Sequence, residues 1–209
     1  MDFLENQNKA TISGAAGTGK TMIAVEKARR HAENNQKVLF LCYNRNLRDF
    51  LNRNYNNDLI DYLTIDMYAY KIGNKAFVSP YQTLKAHLEN CYLDEANFGY
   101  DHVIIDEGQD FGQEFINEAE IITLLDMNVS KRNGTFFVFY DKLQLIQGQI
   151  LPKYIENSEC RITLYKNCRN TINIANTALK PLEIEPILFK GAINGKTPEF
   201  YLESDNNDA

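Results

Sequence analysis

Eight residues near the N-terminus have the types and spacing of a phosphate-cradling loop: Gly14-Ala15-Ala16-Gly17-Thr18-Gly19-Lys20-Thr21. The run satisfies every fixed position of the pattern G-x-x-x-x-G-K-[ST]. Ala10-Thr11-Ile12-Ser13 before it reads as a short strand, and residues Thr21 to Asn34 after it read as a helix. A glycine-rich turn between a strand and a helix N-terminus gathers backbone N–H groups and adds the positive end of the helix dipole. The chemistry this predicts is binding of a nucleotide's phosphates.

A second constellation lies downstream. Val103-Ile104-Ile105 is an apolar strand that ends in two carboxylates, Asp106 and Glu107. In phosphate-loop enzymes a strand delivers an acidic residue to Mg²⁺ opposite the loop hydroxyl. Asp106 suits that task. Glu107, one residue on, can orient and deprotonate an attacking water. A base at that position favours hydrolysis over transfer to a second substrate.

The elements that must position these groups alternate along the chain. Strands are predicted at Val38–Leu41, Tyr62–Ile65, Val103–Ile105, Thr135–Tyr140 and Arg161–Leu164. Helices are predicted at Asn46–Asn54, Tyr81–Cys91, Glu114–Leu125 and Thr171–Leu179. Short continuous apolar strands alternating with helices imply an α/β fold whose parallel sheet is covered on both faces. Residues Gln149 to Glu159 read as a connection. Beyond Pro181 the pattern weakens, with one further strand expected at Pro198–Leu202 and a frayed end from Ser204 to Ala209.

Bulk properties narrow the class. The chain has 209 residues and a net charge of −6. No apolar run approaches the ~18 residues that a membrane span needs, and no secretion signal opens the chain. Cys42, Cys91, Cys160 and Cys168 lack C-x-x-C spacing, so reduced thiols and a cytoplasmic location are expected. Arg45, Arg48 and Arg53 cluster, as do Lys131 and Arg132. Each cluster reads either as a solvated face or as part of a groove that tracks a phosphate backbone.

Asp106-Glu107-Gly108-Gln109-Asp110 resembles the second motif of the UvrD/Rep-like superfamily-I helicases, usually D-E-[AG]-Q-D. Further pieces follow in that family's order. Leu41-Cys-Tyr-Asn-Arg-Asn-Leu47 resembles the motif after the second strand, and Leu63-Thr-Ile-Asp-Met-Tyr68 the next one. Tyr140-Asp-Lys-Leu-Gln144 resembles G-D-x-x-Q, and Asn167-Cys168-Arg169 the N-x-R core of the fourth motif. The resemblance runs from about Ala10 to about Asn176.

This resemblance implies a three-layer, RecA-like phosphate-loop NTPase domain over residues 1–168. Residues 169–209 would begin an incomplete second RecA-like domain or a C-terminal extension. ATP and Mg²⁺ are the implied ligands: Lys20 would neutralise the β/γ-phosphates, Thr21 and Asp106 would hold Mg²⁺, and Glu107 would act as base. Gln144 would sense the γ-phosphate and Arg169 would reach it like an arginine finger. Single-stranded DNA or RNA would run over Tyr43, Asn44, Arg45, Thr64 and Tyr68. The implied activity couples ATP hydrolysis to movement on the strand. With the second domain missing from this chain, weak turnover is expected.

The departures point to an alternative. Leu145-Ile-Gln-Gly-Gln149 follows the third motif without the family's stacking aromatics, and the chain has no Trp. The stretch from Ala69 to His102 is too short for the family's usual insertion. An ATP-driven switch in a nuclease or defence system, without unwinding, would use the same core in this way.

Overall fold

The computed structural model describes residue 4 and residues 6–73, 79–112, 116–147, 152–156, 158 and 160–199. The chain divides into two compact units: residues 1–15 with 20–164, and residues 16–19 with 165–209.

The first unit is built on one sheet. Its strands are β1 (Lys9–Gly14), β2 (Val38–Cys42), β3 (Ile60–Leu63), β4 (His102–Asp106), β5 (Thr135–Tyr140) and β6 (Arg161–Leu164). Their order is β3-β2-β4-β5-β1-β6, and every neighbouring pair is parallel. This is the expected α/β fold. The central strands β2, β4 and β5 are buried along their whole length, while the edge strands β3 and β6 alternate in exposure. Burial on both faces explains why the central strands read as unbroken apolar runs.

Successive residues of a strand point to opposite faces, and the core divides accordingly. Leu39, Leu41, Val103, Ile105, Phe136 and Val138 pack on one face with Leu84, Leu88, Ile122 and Leu125. Those partners come from the helices α4 (Pro80–Leu93) and α5 (Ile116–Lys131). Val38, Phe40, Ile104, Phe137 and Phe139 pack on the other face with Ala24, Val25 and Ala28 of α1 (Lys20–Glu33) and with Leu51 of α2 (Arg45–Asn54). Truncating one of these buried rings, such as Phe137, to alanine would cost about 3–5 kcal/mol.

The largest departures from the expected boundaries fall in two elements. The third strand starts at Ile60 and stops at Leu63, and Ile65 opens an unpredicted helix, α3 (Ile65–Ile72). The cause is local: the Thr64 side chain caps that helix by accepting a hydrogen bond from Met67 N–H at 3.3 Å. Helix α5 extends to Lys131, six residues past the predicted end at Leu125. Residues 113–115, at its predicted start, lie outside the described residues. Within the expected connection Gln149–Glu159, Lys153–Glu156 form one helical turn, α6. Of the strand expected at Pro198–Leu202, residues 200–202 lie outside the described residues, as does the Ser204–Ala209 end; Pro198 and Glu199 are not in a strand.

The second unit contains helix α7 (Ile172–Leu179), capped by the Thr171 hydroxyl. Asn167 and Leu188 form a parallel bridge, and Ile172 N–H donates to the Ile193 carbonyl at 2.9 Å.

The sheet order has a consequence for chemistry. Strand β5 lies between β1, which feeds the glycine-rich loop, and β4, which ends in Asp106. All three run in parallel, so their carboxyl ends bring Gly14, Asp106 and Asp141 to one edge. That edge is where open parallel sheets bind ligands.

Candidate functional site

The loop from Gly14 to Thr21 turns through Gly17 at φ +87° and Gly19 at φ +90°, in the left-handed region that side chains disfavour. Its charged residue is held close. Lys20 Nζ donates to the Gly14 carbonyl at 2.8 Å and lies 3.4 Å from that of Ala15. It also sits 3.6 Å from Asp141 Oδ2, and both side chains are nearly buried.

Thr21 donates its hydroxyl to Asp106 Oδ2 at 2.6 Å, joining the loop to the end of β4. Asp106 is fully buried, and burial pushes its carboxyl up to about 6, against the lowering effect of the Thr21 hydrogen bond. A buried carboxylate beside a hydroxyl is an oxygen pair suited to a hard divalent cation, which would keep the carboxylate ionised. The donor set therefore fits Mg²⁺, which Thr21 and Asp106 would hold.

Glu107 follows in a strained conformation, φ +54°, with its N–H donating to Asp106 Oδ1 at 3.1 Å. Non-glycine residues in this region cost energy and cluster at functional sites. The half-buried Glu107 carboxylate accepts from Gln109 Nε2 at 2.9 Å. Gly108 lies against β5, where an added Cβ would come within 2.3 Å of Val138 Cγ1, so only glycine fits. Burial raises the carboxyl of Asp110, with the Glu107 charge adding to it. Gln144 is exposed, in the 3₁₀ turn Lys142–Gln147 that follows β5.

In the second unit, Asn167 gathers the start of the fourth motif. Its Oδ1 accepts from Arg169 N–H at 3.1 Å and Asn170 N–H at 2.9 Å, and its Nδ2 donates to the Ala16 carbonyl at 3.1 Å. Cys168 N–H donates to the Gly17 carbonyl at 2.8 Å. Arg169 itself is exposed.

The strand-contact candidates separate by burial. Tyr43 is half-buried and meets Phe111 edge-on at 5.3 Å, lining a cavity of about 550 Å³ with Cys42, Thr64, Asp66 and Tyr81. Asn44 and Arg45 are exposed; Asn44 caps α2 and Arg45 pairs with Asp66 at 3.3 Å. Thr64 is buried at the cap of α3. Tyr68 corrects the expectation: it is 1% exposed and packs edge-on to Tyr100 and His87. Its position on the inner face of α3 makes it core, out of a strand's reach.

Sequence reasoning gave no role to Asp141, Gln109 or Asn167. Their only signal was membership of the motifs Y-D-K-L-Q, D-E-G-Q-D and N-C-R.

The family model described as type III restriction enzyme, res subunit matches residues 1–150. The chain belongs to that family. Membership supports an ATP-binding, helicase-like phosphate-loop domain of the RecA-like class, and it does not single out the UvrD/Rep-like branch. Among solved structures the chain resembles AMPPCP-bound DnaA from Aquifex aeolicus, at 15% identity and TM-score 0.45, covering 88% of this chain and 49% of that one. It also resembles the flagellar accessory protein FlaH from Methanocaldococcus jannaschii, at 12% identity and TM-score 0.44, covering 75% and 70%. The chain thus spans about half the length of DnaA. No curated protein matches it. Among the described residues no helix is long and apolar enough to cross a membrane.

Proposed function

We propose that this chain is the ATP-binding and hydrolysing domain of a UvrD/Rep-like translocase that moves on single-stranded DNA or RNA. The observation that carries the reading is the 2.6 Å contact between Thr21 and Asp106, which joins two motifs 85 residues apart in sequence. In this reading the loop N–H groups and Lys20 bind the phosphates, and Thr21 and Asp106 hold Mg²⁺. When bound, the cation neutralises charge on the phosphates. Glu107 accepts a proton from the attacking water, Gln144 contacts the γ-phosphate, and Arg169 stabilises charge that develops there. Residues 1–168 form the first RecA-like domain, and residues 169–209 begin a second or form a C-terminal extension. Tyr43, Asn44, Arg45 and Thr64 contribute to the strand surface. The departure after Gln144, where stacking aromatics are missing, favours a second reading as an ATP-dependent switch in a nuclease or defence system.

The test is steady-state ATP hydrolysis by the native gene product, with and without single-stranded DNA and RNA oligonucleotides. Strong stimulation by one strand type is expected. No stimulation, with Mg-ATP still bound, would favour the switch. Substantial unstimulated turnover by the 209-residue chain, abolished by Lys20→Ala, would overturn the view that this chain is half of a site.

A further inference from the structure

Gln109 is fully buried, yet each polar end of its side chain has a partner in the candidate site. Its Nε2 lies 2.9 Å from Glu107 Oε2 and 2.8 Å from Gln144 Oε1. Its Oε1 accepts from the backbone N–H of Asp141 at 2.9 Å. The amide orientation follows from these partners. The Asp141 N–H can only donate, so it faces the carbonyl oxygen of Gln109. The amino group is thereby turned toward Glu107 and Gln144, both of which present oxygen. The main chain also holds the loop that carries Gln109: Gly108 N–H donates to the Phe139 carbonyl at 2.8 Å, and the Tyr154 hydroxyl bonds the Gly108 carbonyl at 2.5 Å.

We propose that Gln109 is a positioning residue that sets Glu107 and Gln144 for hydrolysis together. This rests on the hydrolytic reading above. The bond to Glu107 occupies Oε2 and leaves Oε1 as the oxygen that receives the water proton. The bond to Gln144 has a sharper consequence. A phosphate oxygen only accepts, so Gln144 must present its amino group to contact one. Gln109 engages the carbonyl oxygen of Gln144 and so selects that amide orientation. Through its third bond Gln109 ties both groups to Asp141, the partner of Lys20. A side chain that fixes a base and a phosphate contact at once contributes to rate by orientation, where misplacement by about 1 Å can cost 10²-fold.

The test is single-turnover hydrolysis by the native gene product, in excess over Mg-ATP and with single-stranded oligonucleotide present, with nucleotide affinity measured separately. Gln109→Met keeps the volume and removes the bonds to Glu107, Gln144 and Asp141. The expected result is a rate lowered about 10- to 100-fold with affinity unchanged within about threefold. Adding Gln144→Ala to that variant should lower the rate little further, because the two side chains act as a unit. A merely structural role would weaken affinity and rate together. If Gln109→Met does not fold, Gln109→Asn keeps a buried amide, shortens its reach by one methylene, and should show the same loss. A Gln109 variant hydrolysing within about threefold of wild type, or independent additive losses at Gln109 and Gln144, would overturn the inference alone. Wild-type hydrolysis no faster than that of Lys20→Ala would overturn the hydrolytic reading and this inference with it.

Discussion

Lys20 and Asp141 face each other at 3.6 Å, with side chains 7% and 2% exposed, so the loop's only cation is shared with the residue that follows β5. Asp141 Oδ1 also accepts from Leu143 N–H at 2.9 Å, capping the turn that carries Gln144. A lysine that binds phosphate must give up some of this contact, and Asp141 therefore competes with the nucleotide. Asp141→Asn keeps the shape and the capping oxygen while removing the competing charge. We expect Mg-nucleotide to bind roughly fivefold tighter, a gain of about 1 kcal/mol, as measured by titration calorimetry. Unchanged or weaker binding would mean that the aspartate supports the bound state instead.

The Asn167 side chain makes three hydrogen bonds, to Ala16, Arg169 and Asn170, all within its own compact unit. The residue is 7% exposed and the three bonds are partly buried, so an alanine there removes three partly shielded hydrogen bonds. Asn167→Ala should destabilise the chain by about 1–3 kcal/mol. For a chain of this size that lowers the melting temperature by roughly 2–4 °C per kcal/mol. Asn167→Asp keeps the oxygen that meets Arg169 and Asn170 and loses only the donor to Ala16, so it should fall between the two. An alanine variant that melts with wild type would show that these bonds contribute nothing net.

The phosphate loop, five of the strand cores and the Asp106–Glu107 pair were legible because each is written in consecutive residues. Glycine at Gly17 and Gly19 announces positive φ directly, and apolar runs such as Val103–Ile105 announce burial on both faces. Helix α3 was missed because Tyr62–Ile65 is as β-prone as a strand; only the Thr64 cap, a bond to Met67 N–H, breaks it. Tyr68 was misplaced for the same reason, since which way it faces depends on the helix turning at Ile65. The roles of Gln109 and Asp141 depend on β5 lying between β1 and β4, and sheet order is a long-range property that no local run encodes.

His31 and His102 stack face to face, with ring centroids 3.5 Å apart, at the opposite end of the sheet from the loop. Thr135 Oγ1 bridges them, 2.9 Å from His102 Nδ1 and 3.3 Å from His31 Nε2. Burial lowers His31 to about 4, helped by the Lys27 charge, while Gln36 and Asp101 act the other way. Burial lowers His102 to about 3, helped by His31 and Lys27 and opposed by Asp101. Both folded values lie below the unfolded value near 6.5. The unfolded chain therefore binds protons that the folded chain refuses, and stability is full above about pH 6.5 and falls as pH drops toward 3. The urea midpoint should be lower at pH 5 than at pH 7.5. His31→Phe, which keeps a stacked ring and removes one titrating group, should reduce that difference. Equal midpoints at both pH values in the wild type would contradict the buried neutral pair.

Tyr43 and Tyr68 should behave in opposite ways, although both lie in motifs that the resemblance assigns to the strand. Tyr43 is half-buried on a cavity wall, where a base could meet its ring. A base stacked on an aromatic side chain is worth about 1–3 kcal/mol by alanine substitution. Tyr43→Ala should therefore weaken single-stranded oligonucleotide binding by that amount, as read by fluorescence anisotropy at fixed salt. The Tyr68 hydroxyl is buried with no hydrogen-bond partner among the described residues. Removing an unpaired buried hydroxyl relieves a desolvation cost, so Tyr68→Phe should leave the melting temperature unchanged or raise it. Oligonucleotide affinity should not move. Lost affinity in Tyr68→Phe would place the strand against α3 after all, whereas lost affinity in Tyr43→Ala alone would put the strand path at the carboxyl end of β2.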